Sequence, residues 1–111
     1  MRVPRWDLVT VKALAASPGG LQVLKTRAID SFPDRRTAYA AARSMIAALA
    51  LGNFAETVRL GLDEADVYGV KIDGRGWYVK LTVREENDLV VVISFHPLEH
   101  RLQTNKGTVL P

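Results

Sequence analysis

The nine residues Gly76 to Arg84, "GWYVKLTVR", decide the fold class. Side chains alternate along a strand, so Trp77, Val79, Leu81 and Val83 share one face and Tyr78, Lys80, Thr82 and Arg84 the other. One face is apolar; the other is wet and basic. Downstream, "EEND" at 85–88 is a turn into the apolar run "LVVVISF" at 89–95. Upstream, "DGRG" at 73–76 is a turn from "DVYGVKID" at 66–73, so residues 66 to 96 read as an antiparallel meander. "ETVRLGL" at 56–62 also alternates, Val58, Leu60 and Leu62 against Thr57, Arg59 and Gly61. It extends the β region to about residues 56–96, with the three apolar residues assigned to the core.

The first half of the chain is alanine-rich and reads as helical. Asp7 caps a short helix over Leu8 to Ala16, which "SPGG" at 17–20 ends. "LQVLKTR" at 21–27 is a candidate strand. Ser31, Phe32, Pro33 and Asp34 have capping-box spacing with an early proline, opening a helix that runs to about Leu51 and stops at Gly52. Tyr39, Ala42, Ile46 and Leu49 form its apolar stripe. The tail "RLQTNKGTVLP" has room for one more edge strand. The fold class is therefore α+β, with N-terminal helices packed on one face of a mainly antiparallel sheet.

Bulk properties narrow the function. At 111 residues the chain reads as one domain, 1–111, and 48% hydrophobic with 24% charged residues is ordinary globular usage. No apolar stretch nears the ~18 residues of a membrane helix, and no signal-peptide pattern opens the chain. The expectation is a cytoplasmic protein with no membrane partner. Zero cysteines exclude disulfides and thiolate metal sites. A net charge of +3 fits a polyanionic partner.

The basic face of the sheet is the candidate site. Alternation assigns Leu89, Val91, Ile93 and Phe95 to the helices and Val90, Val92, Ser94 and His96 to the face of Tyr78, which should sit opposite Ser94 or His96. Opposed side chains have Cβ atoms about 5 Å apart, so Tyr78, Lys80, Arg84 and His96 can form one cluster. RNA cleavage by its own 2′-hydroxyl needs a base at that hydroxyl, an acid at the leaving 5′-oxygen and cations at the phosphate. Histidine, lysine, arginine and tyrosine suit those tasks without a metal. The plainer reading is the solvated half of an amphipathic sheet. "HPLEH" at 96–100 also spells a zinc-protease signature, but that motif works on a helix and needs a third ligand. Here Pro97 follows a strand, so no metal is expected, and Glu99 and His100 read as surface residues.

Four stretches in order, "IAALALGNFAETV" at 46–58, "ADVYGV" at 65–70, "WYVKLTV" at 77–83 and "LVVVISF" at 89–95, resemble the MqsR family of bacterial toxins. That family runs roughly I-x-G-L-S-x-x-D-F-Y-K-S-M, then W-Q-D-V-Y, V-Y-L-K-I-T-V and V-L-I-V-S-F-K. The resemblance spans about residues 40–96, and Asp66-Val67-Tyr68 and Tyr78-Val79-Lys80 are its most specific parts. It implies a RelE-like fold and a metal-independent, sequence-selective endoribonuclease that cleaves mRNA as the toxin of a type II toxin–antitoxin system. It also implies a cognate antitoxin protein as partner and no cofactor.

Residue by residue, the family's active tyrosine falls on Tyr78 and its neighbouring lysine on Lys80. Its lysine after S-F becomes His96, its lysine in F-Y-K becomes Glu56, and its glutamine in W-Q-D-V-Y becomes Ala65. Glu56 as base, His96 as acid and Lys80 or Arg84 at the phosphate form a replacement set. Arg59 and Arg101 join Arg84 as candidate phosphate contacts. Parity with Val58 and Leu60 turns Glu56 toward the core unless a bulge intervenes. The alternatives are a catalytically degenerate toxin-like domain that binds protein or RNA, and a zinc hydrolase using "HPLEH".

Overall fold

A computed structural model describes residues 1–111. Helix α1 (Leu8–Ala16) is capped by Asp7, whose carboxylate accepts from the Thr10 N–H at 3.1 Å and the Thr10 hydroxyl at 2.9 Å. The second helix, α2 (Arg35–Ala48), begins later than the capping-box spacing suggests. Pro33 bars helical backbone at the residue before it, and Phe32 is extended at φ −125°, ψ 160°. Ser31 therefore closes a separate 3₁₀ turn (Ile29–Ser31), and Asp34 caps α2 by accepting from the Thr37 N–H at 2.7 Å. That bond holds the Asp34 carboxyl below the usual carboxylate range. The helix also ends earlier than expected, at Ala48, because Leu49 turns extended.

Strands β1 (Leu21–Val23), β2 (Phe54–Leu60), β3 (Asp63–Ile72), β4 (Arg75–Arg84) and β5 (Leu89–Pro97) make one sheet in the order β1-β5-β4-β3-β2. Only the β1–β5 pair is parallel. The turn after β3 places Asp73 at φ +51° and Gly74 at φ +80°, the backbone a two-residue Asp-Gly hairpin requires. Gly61, at φ +65°, turns the chain before Leu62, which is 98% exposed rather than a core residue. The tail forms a hairpin, β6 (Leu102–Thr104) with β7 (Gly107–Val109), where one strand was expected. It lies over Gly69: a Cβ there would come within 3.0–3.3 Å of Leu102, Thr104 and Val109. No helix is long and apolar enough to cross a membrane.

Both helices pack on one face of the sheet. The core joins Val11 and Ala15 of α1 and Ala42, Met45 and Ile46 of α2 to Tyr68, Val79, Leu81, Val90, Val92 and Phe95. Phe32 seals one end, 5.5 Å from the Trp77 ring and 5.2 Å from the Phe95 ring.

Two β-bulges reset the alternation. In β5, Lys80 pairs with Ser94 but Leu81 with Val92, leaving Ile93 as the extra residue. Phe95 thus faces the helices as expected, whereas Val90 and Val92 take the core positions assigned to Val91 and Ile93. In β2, Phe54 pairs with Tyr68 and Glu56 with Val67, with Ala55 extra. Phe54 enters the core and Glu56 turns to the opposite face. Val58 and Leu60 follow Glu56 and leave the core; Leu60 is 38% exposed. The face away from the helices is consequently mixed, polar around Tyr78 and apolar along Val58, Ala65, Val91 and Ile93.

Candidate active site

The site sits where β4 and β5 cross that open face. Tyr78 pairs with His96 and Lys80 with Ser94, one of the two registers that alternation allowed. The Tyr78 and His96 rings stack with centroids 5.2 Å apart and planes 15° from parallel. With Lys80, Arg27 and Arg101 they line a pocket of about 390 Å³, whose rim includes Glu99 and His100. Three permanent cations face one carboxylate there, so the pocket suits an anion.

His96 is held from both sides. The Arg27 Nη2 lies 2.9 Å from its Nε2, and its Nδ1 lies 2.8 Å from the Pro97 carbonyl oxygen. A guanidinium only donates and a carbonyl only accepts, so Nε2 must be the acceptor and Nδ1 must carry the proton. The two contacts define one tautomer, with the Nε2 lone pair directed at Arg27. Arg27 also donates to Glu99 Oε1 at 3.3 Å. The backbone of Arg27 is docked on β5, its carbonyl accepting from the Phe95 N–H at 2.7 Å.

Tyr78 keeps its proton. Burial pushes its phenol above the usual tyrosine range, the negative charge of Glu56 adds to this, and Arg27 opposes it. Glu56 thus lies close enough for its charge to act on Tyr78, although it is exposed and stands two strands from it, outside the pocket lining. Neither Glu56 nor Lys80 has an ion-pair partner within 4.0 Å.

The expected residues divide. Tyr78, Lys80, His96 and Arg101 come together, and Glu56 stands two strands from Lys80 on the same face. Arg84 shares the face but lies four residues along β4 from Lys80, about 13 Å. It lines a separate cleft with Arg5, Trp6 and Glu86. Arg59 pairs with Glu64 on the outermost strand and, by alternation with Glu56, points to the helix side. Three titratable pocket residues were not expected, Arg27, Glu99 and His100. "HPLEH" is not helical: β5 runs through Pro97, Leu98 is buried and Glu99 bonds Arg27. No three His, Asp or Glu side chains are gathered so as to hold a metal ion.

Asp66-Val67-Tyr68 belongs to the scaffold. Asp66, fully buried, accepts from the Arg5 N–H at 2.9 Å, the Trp6 N–H at 2.8 Å and the Thr57 hydroxyl at 2.6 Å, tying the N-terminal segment to the sheet. Tyr68 packs edge-on against Phe54 in the core, its hydroxyl without a partner. Compared with known families and with curated proteins, the chain matches none.

Proposed function

We propose that the chain is a metal-independent endoribonuclease with a RelE-like fold, the toxin of a type II toxin–antitoxin pair, which cleaves mRNA by attack of the 2′-hydroxyl on the adjacent phosphate. The observation that carries this reading is the pocket that combines a histidine with an unprotonated Nε2, a protonated tyrosine stacked on it, and three cations. The likeness of "ADVYGV" and "WYVKLTV" to the MqsR pattern supports it, and helices on one face of a mainly antiparallel sheet are compatible with it.

In this mechanism His96 Nε2 removes the 2′-hydroxyl proton as the oxygen attacks phosphorus. Arg27, Lys80 and Arg101 neutralise the growing charge on the phosphoryl oxygens. The phosphorus–5′-oxygen bond breaks, and the Tyr78 phenol protonates the departing oxygen. The products are a 2′,3′-cyclic phosphate and a 5′-hydroxyl, and the phenolate regains the proton held by His96 through solvent. The hydrogen bonds thus favour His96 as base, in place of the acid role expected from sequence. Glu56 takes no step in this mechanism; its charge makes the Tyr78 phenol a weaker acid.

One observation favours a non-catalytic RNA-binding domain instead: Arg27 already occupies the lone pair that the reaction needs. Incubating a long single-stranded RNA in EDTA with wild type, His96→Ala and Tyr78→Phe separates the readings. Losing a general base or acid costs 10²–10⁴-fold as an order of magnitude, so wild type should cut and both variants should fall by about that factor. RNA bound but intact in every lane would leave the binding domain as the answer.

A further inference from the structure

We infer that Arg27 is a phosphate-responsive latch on the base: its guanidinium caps His96 Nε2 in the free protein and releases it when a phosphodiester draws the guanidinium away. This rests on the nuclease reading and adds to it a control of when the base is free. The geometry is specific. Arg27 Nη2 divides its bonding between His96 Nε2 at 2.9 Å and Glu99 Oε1 at 3.3 Å, while the Arg27 carbonyl is pinned to Phe95 at 2.7 Å. The backbone is tied to β5, and the side chain beyond it is more than half exposed.

The exchange is favoured by partner chemistry. A guanidinium matches a phosphate with two parallel charge-assisted bonds, whereas an imidazole nitrogen offers one neutral acceptor. Glu99 is a weak competitor, because Arg27 and Glu99 side chains are 57% and 65% exposed and a solvated pair holds loosely. Lys80 and Arg101 on the same pocket wall would bring the phosphate to the guanidinium. Once Arg27 turns to the phosphate, Nε2 opens to the 2′-hydroxyl. The Nδ1 contact to the Pro97 carbonyl keeps the ring in place, since it does not involve Arg27. An empty site holds its base capped; a site containing RNA does not.

The test is the ¹⁵N spectrum of the His96 imidazole, with His100→Gln assigning the signals. The probe is a 2′-O-methyl RNA oligonucleotide, which presents phosphodiesters but has no hydroxyl to attack. In free wild type, Nε2 should show as an unprotonated nitrogen accepting a hydrogen bond, and the oligonucleotide should move its signal. Arg27→Ala should show the moved signal without RNA. Glu99→Gln, which loosens the hold on the guanidinium, should tighten binding of the oligonucleotide about two- to fivefold. An Nε2 signal identical in free wild type and Arg27→Ala overturns the latch, as does one unmoved by bound oligonucleotide. Wild type that binds the oligonucleotide, shows the shift and yet leaves ordinary RNA whole overturns the nuclease reading alone.

Discussion

Replacing Asp66 with asparagine keeps the shape of a buried side chain and removes half its acceptors, so the cost can be worked from three hydrogen bonds. One Asp66 oxygen accepts from the Arg5 N–H and the Thr57 hydroxyl, the other from the Trp6 N–H. Asparagine that keeps its oxygen at the doubly bonded corner turns its NH₂ toward the Trp6 N–H. Losing that charge-assisted bond and stranding the donor costs about 1.5–3 kcal/mol, and the two bonds that become neutral weaken by about 0.5–1 kcal/mol each. Burying an amide in place of a carboxylate returns part of this through desolvation, for a net loss of about 2–3 kcal/mol. For a chain of 111 residues the unfolding entropy makes each kcal/mol worth about 4 °C, so Tm should fall by about 10 °C. Urea unfolding followed by circular dichroism checks the energy. Trp6 fluorescence checks the location, because its indole N–H bonds the Glu64 carbonyl at 2.9 Å and Arg5 lies 4.1 Å over its ring. A Tm within 2 °C of wild type, about 0.5 kcal/mol, would refute the clamp.

Tyr68→Phe removes a buried hydroxyl that has no partner and should raise Tm by several degrees, since an unpaired polar group costs about 1–3 kcal/mol. Burial raises the Tyr68 pKa above its unfolded value of 10.0, so its protonated form supports the fold fully below that pH and the support is lost as pH rises beyond it. Tyr68→Phe should flatten the alkaline limb of a stability–pH curve. Glu56→Gln should lower the Tyr78 pKa, read as tyrosinate absorbance against pH, by removing a negative charge that raises it. Lys80→Ala should weaken RNA binding and reduce the slope of log affinity against log salt by about 1, whereas Arg59→Ala, on the opposite face, should leave cleavage unchanged.

The parts of the site that could be read in the sequence were those fixed by strict alternation. "GWYVKLTVR" has one apolar and one polar face, so pairing it with the following strand put Tyr78 opposite Ser94 or His96, of which the structure has His96. The phase of β5 above Ser94 could not be read, because "LVVVIS" is apolar at nearly every position and carries no mark of which residue is extra. The Ala55 bulge was equally silent: a small residue fits either face, and Glu56 was legible on the open face only once the bulge was known. Arg27 escaped notice because its place depends on β1 running parallel to β5, a long-range pairing that no local pattern announces. Asp66 and Tyr68 belong to one of the two most specific parts of the resemblance, yet both are buried scaffold. A motif can be distinctive because its carboxylate must satisfy three donors in the interior.

The ends left at the cut report which oxygen attacked the phosphorus. A synthetic single-stranded RNA carrying a mapped cleavage site, and the same strand with one 2′-deoxynucleotide immediately 5′ of the scissile phosphate, are each incubated with the wild-type protein in EDTA and the fragments weighed by mass spectrometry. Attack by the 2′-hydroxyl gives fragments ending in a 2′,3′-cyclic phosphate and beginning with a 5′-hydroxyl from the all-ribose strand, and no cut at that position in the deoxy-substituted one. Cleavage of both strands, or fragments that begin with a 5′-phosphate, would contradict it.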